Sequence, residues 1–175
     1  MILARLFGRK SGKEHAEAAY TAIVTAARRP VLYEAYGVAD TIDGRFDMVV
    51  LHAFLVLERL KAGDASVQTF AQELTDLIFA EMDHSLREMG VGDLSVGKRV
   101  RKLAEIFYGR VGAYQPALAA GHGELAEAFR RNIYPEGVEE EALDGLMRYA
   151  LAMRDGLAKL EPERIAQGDL QFPEP

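Results

Sequence analysis

The sequence contains no cysteine among its 175 residues. This absence excludes disulfide bonds, thiolate nucleophiles, zinc sites with cysteine ligands and iron–sulfur clusters held by cysteine. It is consistent with a reducing compartment, where disulfides are rare. Apolar residues make up 49% and charged residues 27% of the chain, and both proportions are ordinary for a folded globular domain.

The sequence also lacks an apolar run long enough to span a bilayer, which takes about 20 residues. Its most apolar stretch is Met48–Leu57, in which every residue except His52 is apolar. Because these residues fall on all sides of a helical wheel, the pattern is typical of a helix buried on all sides. A lone histidine in such a helix is typical of a core residue bonded to a nearby carbonyl. We therefore predict a buried central helix over about residues 46–61.

Strand patterns are absent as well, because no alternation of period two and no Asn-Gly hairpin turn occurs. Apolar residues recur instead at steps of three and four. We expect Thr41 or Asp43 to cap the central helix and Pro116 to kink or end a later one. The sequence predicts an all-α, single-domain bundle of about seven helices. We expect a basic, flexible segment over 1–12, a helical domain over 13–161 and an extended, proline-containing tail over 162–175.

Charge is distributed unevenly along the chain. The formal net charge is −6, which disfavours generic nucleic-acid binding, so we expect no DNA partner. Two segments are nevertheless basic, namely residues 1–13 and residues 98–110. Arg5, Arg9 and Lys10 are the candidates for contact with an anionic membrane or with RNA. The apolar residues around Arg5 are too few for the hydrophobic region of a signal peptide.

Motifs for catalysis or metal binding are scarce. Glu81 and His84 have the E-x-x-H spacing, but a carboxylate-bridged di-iron site needs two such motifs and further glutamates. The glycines at 90 and 92 resemble the start of a dinucleotide-binding loop, but the third glycine and the preceding strand are missing. No P-loop and no G-x-S-x-G sequence occurs. We therefore expect no enzymatic activity, no metal and no cofactor.

Glycine and charged residues are concentrated between Glu81 and Lys102, where Asp93 or Ser95 is expected to cap a helix. Glycine-rich backbone beside an apolar side chain and charges of both signs is typical of a surface that contacts other proteins. A capped helix–turn–helix with weak surface ion pairs is the simpler alternative. The candidate partner-binding residues are Asp83, Arg87, Gly90, Val91, Gly92, Asp93, Lys98, Arg99 and Lys102.

Residues 82–110 read MDHSLREMGVGDLSVGKRVRKLAEIFYGR, and this segment resembles the ubiquinol–cytochrome c chaperone family, in particular its α-proteobacterial branch. The resemblance rests on the D-x-x-L-R-E-x-G-V-G-D run and the basic residues after it. It extends upstream through FDMVVLHAFLVLERL and covers roughly residues 30–150. It implies a non-enzymatic assembly chaperone that binds newly made cytochrome b and promotes biogenesis of the ubiquinol–cytochrome c reductase complex. A small partner protein or the ribosome is a further partner that the resemblance implies.

Two other interpretations remain open from the sequence. One is a helical metal- or haem-binding protein or enzyme that uses Glu81 and His84. The other is a helical adaptor that responds to a small ligand bound in an enclosed apolar cavity. For the chaperone we expect a cytoplasmic location, with peripheral contact to the cytoplasmic face of the inner membrane as an additional expectation.

Overall fold

Helices account for the regular secondary structure in residues 2–88, 90 and 92–174, which the computed structural model describes. They are α1 (Ile2–Ala27), α2 (Pro30–Glu34), α3 (Ile42–Leu60), α4 (Ala65–Glu88), α5 (Asp93–Ala120), α6 (His122–Asn132), α7 (Glu140–Ala158) and α8 (Pro162–Ala166). The prediction of a single all-α bundle of about seven helices is confirmed. The described residues form eight helices, of which α2 and α8 have only 5 residues each.

The central helix, α3, is buried as predicted. Every residue from Val50 to Val56 is buried, and α1, α4, α5, α7 and α8 all pack against the helix. The helix begins at Ile42 because the hydroxyl of Thr41 accepts a hydrogen bond from the amide of Gly44 at 3.1 Å, which confirms Thr41 as the cap. A Cβ on Gly44 would lie 2.0 Å from the carbonyl oxygen of Ala39, so only glycine fits where the chain enters α3.

Two expectations about where α5 begins and ends are wrong. The N-cap is Gly92, not Asp93 or Ser95. Pro116 does not end the helix, which continues to Ala120. Tyr114, buried just before the proline, contacts Phe54 of α3 and Phe129 of α6 at ring distances of 5.8 and 5.5 Å. This packing supports the helix past a residue that lacks the backbone donor.

The C-terminal residues differ from the extended tail expected over 162–175, because Pro162–Ala166 form α8 and bury Pro162 and Ile165. Beyond α8 the chain still packs on the bundle. Leu170 is buried, and Phe172 places its ring 5.3 Å from that of His52 in an edge-on contact. At the other end of the chain, the flexibility expected over residues 1–12 stays a prediction, with α1 beginning at Ile2.

A membrane span is not found in the described part of the chain. None of the helices in residues 2–88 and 92–174 combines the length and the hydropathy that crossing a bilayer requires.

Candidate functional site

A groove with a volume of about 360 Å³ opens between α1, α3, α4 and α5. We call it the four-helix groove. It is lined by Tyr20 and Val24 of α1, Arg28 just after α1, Ile42, Asp43, Arg45, Phe46 and Val49 of α3, Ile78, Glu81, Met82, Ser85 and Leu86 of α4, and Arg99, Lys102, Leu103 and Ile106 of α5. Each of these helices contributes at least two side chains, so the groove depends on the packing of all four.

The floor of the groove is apolar, and its mouth has an exposed apolar side chain. Ile78 and Leu86 are buried beneath it, while Phe46 and Met82 are half-buried in its walls. Ile42 is 69% exposed, although it is a large aliphatic residue in the first turn of a helix. An apolar side chain open to water beside an apolar hollow is typical of a surface that binds another molecule.

Charged side chains surround this apolar lining. Arg28, Arg99 and Lys102 are exposed, and none of them makes an ion pair with another residue among those that the structure describes. Arg45 is compensated, because its Nε donates to Asp40 at 2.6 Å. Burial raises the pKa of the Tyr20 hydroxyl, and the nearby Glu81 raises it further. The mouth therefore presents cations without partners beside two carboxylates, those of Asp43 and Glu81.

A buried ion pair ties α3 to α5 next to the groove. Arg110 lies one turn after the lining residue Ile106, and its guanidinium is 2.6 Å from Oδ1 of Asp47. Among the described residues no hydrogen bond to that oxygen is well aligned, and burial raises the pKa of Asp47 to about 7, against the opposing effect of Arg110. Arg110 also donates to the carbonyl of Asn132 at 3.2 Å. The pair therefore connects the α3 and α5 walls and extends to the end of α6.

His52 has a structural role, as the sequence predicts. Nδ1 lies 2.7 Å from the carbonyl of Met48, and Nε2 lies 3.0 Å from the hydroxyl of Tyr149. Burial lowers the pKa of His52 to about 4, so the imidazole is neutral at physiological pH. Tyr149 also accepts from Arg29, which donates to the carbonyls of Pro173 and Phe172 in the tail. Both ring nitrogens of His52 are thus occupied by hydrogen-bonding partners within the core.

The structure separates the partner-binding residues that the sequence suggests. Arg99 and Lys102 line the four-helix groove, and Lys98 lies beside them on the outer side of α5. Asp83 and Arg87 form an exposed ion pair at 2.6 Å on α4, and neither lines the groove.

The glycine turn contributes backbone geometry to this region. Gly90 has a φ of +79°, which a residue with a side chain rarely adopts, and Gly92 is the N-cap of α5. Val91, the central residue of the predicted site, lies outside the described residues. The side chains of Asp93, Arg5, Arg9 and Lys10 are also outside the description, so their roles stay predictions.

The two side chains of the E-x-x-H pair lie in different surroundings. Glu81 faces the groove, whereas His84 is exposed and lies 3.3 Å from Glu88. No group of three or more histidine, aspartate or glutamate side chains is close enough to hold a metal ion in the described part of the chain. The arrangement of the groove is suited to binding an apolar segment with an anionic group.

Sequence reasoning missed the contribution of α1 and α3 to the site. Tyr20 and Val24 follow the same spacing as the core residues of α1, so their pattern alone predicts burial. Ile42 follows the capping residue Thr41, outside the predicted central helix. The one available signal was an aliphatic residue directly after a cap, in a first turn that otherwise contains Asp43, Gly44 and Arg45.

Comparison with known proteins agrees with this architecture. The sequence profile described as "Ubiquinol-cytochrome C chaperone" matches residues 34–172. The crystal structure of the Cbp3 homolog from Brucella abortus is similar, with a TM-score of 0.86 and 43% sequence identity, over 99% of this chain and 97% of that one. Ubiquinol-cytochrome-c reductase complex assembly factor 1 of Xenopus laevis is 21% identical over 147 residues, which are 83% of this chain and 74% of the frog protein. The chain therefore belongs to the ubiquinol–cytochrome c chaperone family.

Proposed function

We propose that the protein assists assembly of the ubiquinol–cytochrome c reductase complex by holding a segment of newly made cytochrome b in the four-helix groove. Its family is one of chaperones and assembly factors, not of enzymes. The observation that supports the proposal is the exposed Ile42 at the mouth of an apolar groove whose cations Arg28, Arg99 and Lys102 are without partners.

The chemistry of cytochrome b fits such a groove. A polytopic membrane protein presents long apolar helices joined by short charged loops, and before insertion these surfaces need cover from water. An apolar side chain can bind over Phe46 and Met82, while a carboxylate from a loop can pair with Arg99 or Lys102. A groove of about 360 Å³ has room for a few side chains, so we expect it to bind a short segment at a time.

The proposal is tested by photocrosslinking in the native cell. A photoreactive residue replaces Ser85, which is exposed and lines the groove, and a second replaces Ala158, which is exposed at the end of α7. We expect cytochrome b to be crosslinked at position 85 and not at position 158. A small partner protein or a ribosomal protein at position 85, without cytochrome b, would assign the groove to that partner instead.

Two double variants that each remove two cations sharpen the test. Arg99→Ala with Lys102→Ala removes two cations from the groove, and Arg148→Ala with Lys159→Ala removes two exposed cations of α7 and its end that do not line it. We expect the first pair to reduce crosslinking at position 85 about tenfold and the second to leave it within about twofold. Equal effects of the two pairs would mean that overall charge, and not the groove, attracts cytochrome b.

A further inference from the structure

The outward side of α5 is a second surface, separate from the lining of the groove. Each helical residue advances by about 100°, so Lys98, Arg101, Tyr108, Gly112 and Pro116 fall within about a third of the circumference of α5. All five are exposed. We call this strip the outer face of α5. From Lys98 to Ala120 it extends for about 33 Å, at 1.5 Å per residue.

The two halves of the outer face differ in charge. In the N-terminal half, Lys98, Arg101 and Lys102 surround a shallow hollow of about 390 Å³, and Glu105 is the single carboxylate that lines it. None of the three cations makes an ion pair among the residues that the structure describes. In a chain with a net charge of −6, this concentration of unpaired cations orients the protein toward an anionic surface.

The C-terminal half carries no exposed charge. Between Ile106 and Ala120 the only charged residue is Arg110, which is paired with Asp47. Tyr108 is 58% exposed there, one of the two large hydrophobic side chains that are prominently exposed in the described chain. Glycine, proline and alanine make up most of the remaining exposed positions, and they can approach an apolar boundary without desolvating a charge.

We infer that the outer face of α5 binds the surface of an anionic lipid bilayer. The cations around the hollow would contact lipid phosphates, and Tyr108 would lie at the level of the headgroups, where tyrosine is enriched in membrane proteins. RNA fits this face less well. Single-stranded RNA binds along grooves that combine cations with several stacking aromatic rings. On the outer face of α5 the cations lie in the N-terminal half, and Tyr108 is the one exposed aromatic ring in the other half.

This inference goes beyond the proposed function and does not depend on it. Lys102 lines both the hollow and the four-helix groove, so the two surfaces meet along α5. A bilayer contact on the outer face would place the groove close to the membrane, where a membrane subunit is inserted. Lys98 and Arg101 do not line the groove, so they test the bilayer contact separately.

Vesicle binding of the full chain tests the inference. The probe is a vesicle of phosphatidylcholine with about one quarter phosphatidylglycerol, compared with phosphatidylcholine alone, at low salt. We expect binding to the anionic vesicles only, and Lys98→Ala with Arg101→Ala should weaken it about 30-fold. Arg148→Ala with Lys159→Ala removes two exposed cations from α7 and its end, and should change binding by less than about twofold.

A fluorescent residue reports which face is in contact. The chain contains no tryptophan, so Tyr108→Trp introduces a single emitter, and Ala158→Trp provides a matched one on α7. We expect a blue shift of the emission with anionic vesicles at position 108 and none at position 158. A shift at both positions, or at neither while the protein binds, would overturn the assignment to this face.

Two further outcomes would also overturn the inference. If the Lys98 and Arg101 double variant binds anionic vesicles as tightly as the unmodified chain, another segment makes the contact, with residues 1–12 the first to examine. If the unmodified chain does not bind anionic vesicles but binds an RNA oligonucleotide, and the double variant loses that binding, the outer face of α5 binds RNA and not a bilayer.

Discussion

The first turn of α3 and the middle of the same helix reverse the usual distribution of side chains. At the start, Ile42 is an aliphatic residue that is 69% exposed. In the middle, His52 is a polar residue with no exposed surface. Elsewhere in a folded domain, an isoleucine is typically buried and a histidine is partly exposed.

The difference lies in what surrounds each side chain. His52 has a hydrogen-bonding partner for each ring nitrogen, so its burial leaves no polar atom unsatisfied. No packing of the bundle covers Ile42, although an apolar groove lies next to it. The fold alone thus explains the buried histidine, whereas it supplies nothing that covers the exposed isoleucine. Asp47, between them, has a charge that the fold compensates only in part.

The largest effect is expected from Arg110→Met, which keeps the aliphatic length of the side chain but removes the partner of Asp47. We expect the free energy of unfolding to fall by about 3 kcal/mol at pH 8, where Asp47 of the unmodified protein is ionised. At pH 5, where the raised pKa keeps Asp47 protonated, the loss should be nearer to about 1 kcal/mol. Urea denaturation at the two pH values measures both.

A loss of the same size at both pH values would contradict this account, because it would mean that Arg110 acts through packing and not through the charge of Asp47. Arg148→Met is the control, since Arg148 is exposed on α7 and should lose less than about 0.5 kcal/mol at either pH.

The two buried groups of α3 should give opposite dependences of stability on pH. The pKa of Asp47 is raised to about 7 in the folded protein, so its contribution is present below its unfolded pKa of 3.8 and is lost as pH rises through 7. The pKa of His52 is lowered to about 4, so its contribution is present above its unfolded pKa of 6.5 and is lost as pH falls toward 4. Between pH 4 and 6.5 the two contributions change in opposite directions and largely cancel.

Single variants should expose each dependence. With Asp47→Asn, the free energy of unfolding should rise with pH relative to the unmodified protein, by about 1 kcal/mol for each pH unit between 4 and 6.5. With His52→Gln it should fall with pH by a similar amount over the same range. Urea denaturation at intervals of pH measures both slopes. Identical slopes in both variants and the unmodified protein would show that neither group is shifted by its burial.

The sequence was sufficient to predict most of the fold. The apolar run Met48–Leu57 identified α3 as the central helix, and Thr41 was one of its two expected caps. His52 was assigned to the core with a carbonyl partner. These features are local, because a helix cap and a helical stripe are encoded within a few residues. Pro116 does not end α5, because the contacts of Tyr114 with α3 and α6 outweigh the local preference of proline.

The groove was predicted only on the side of α5. Arg99 and Lys102 were among the candidates, since cations on an acidic chain are conspicuous. Ile42 and Tyr20 were not, because a residue that lines a groove and a residue that fills the core follow the same period of 3.6. Whether a residue lines a groove or fills the core depends on whether another helix covers it, and that is a property of the packed bundle.

The smallest effect on stability is expected from Ile42→Ser, and it separates the two ends of α3 most clearly. Because Ile42 is 69% exposed, the free energy of unfolding should change by less than about 0.5 kcal/mol. Loss of its apolar surface from the mouth of the groove should nevertheless reduce crosslinking of cytochrome b at position 85 about tenfold. Thr69→Ser provides a matched small change at an exposed position of α4 that does not line the groove. If Ile42→Ser instead destabilises the protein by more than about 1 kcal/mol, the side chain supports the start of α3, and its exposure is no sign of a partner.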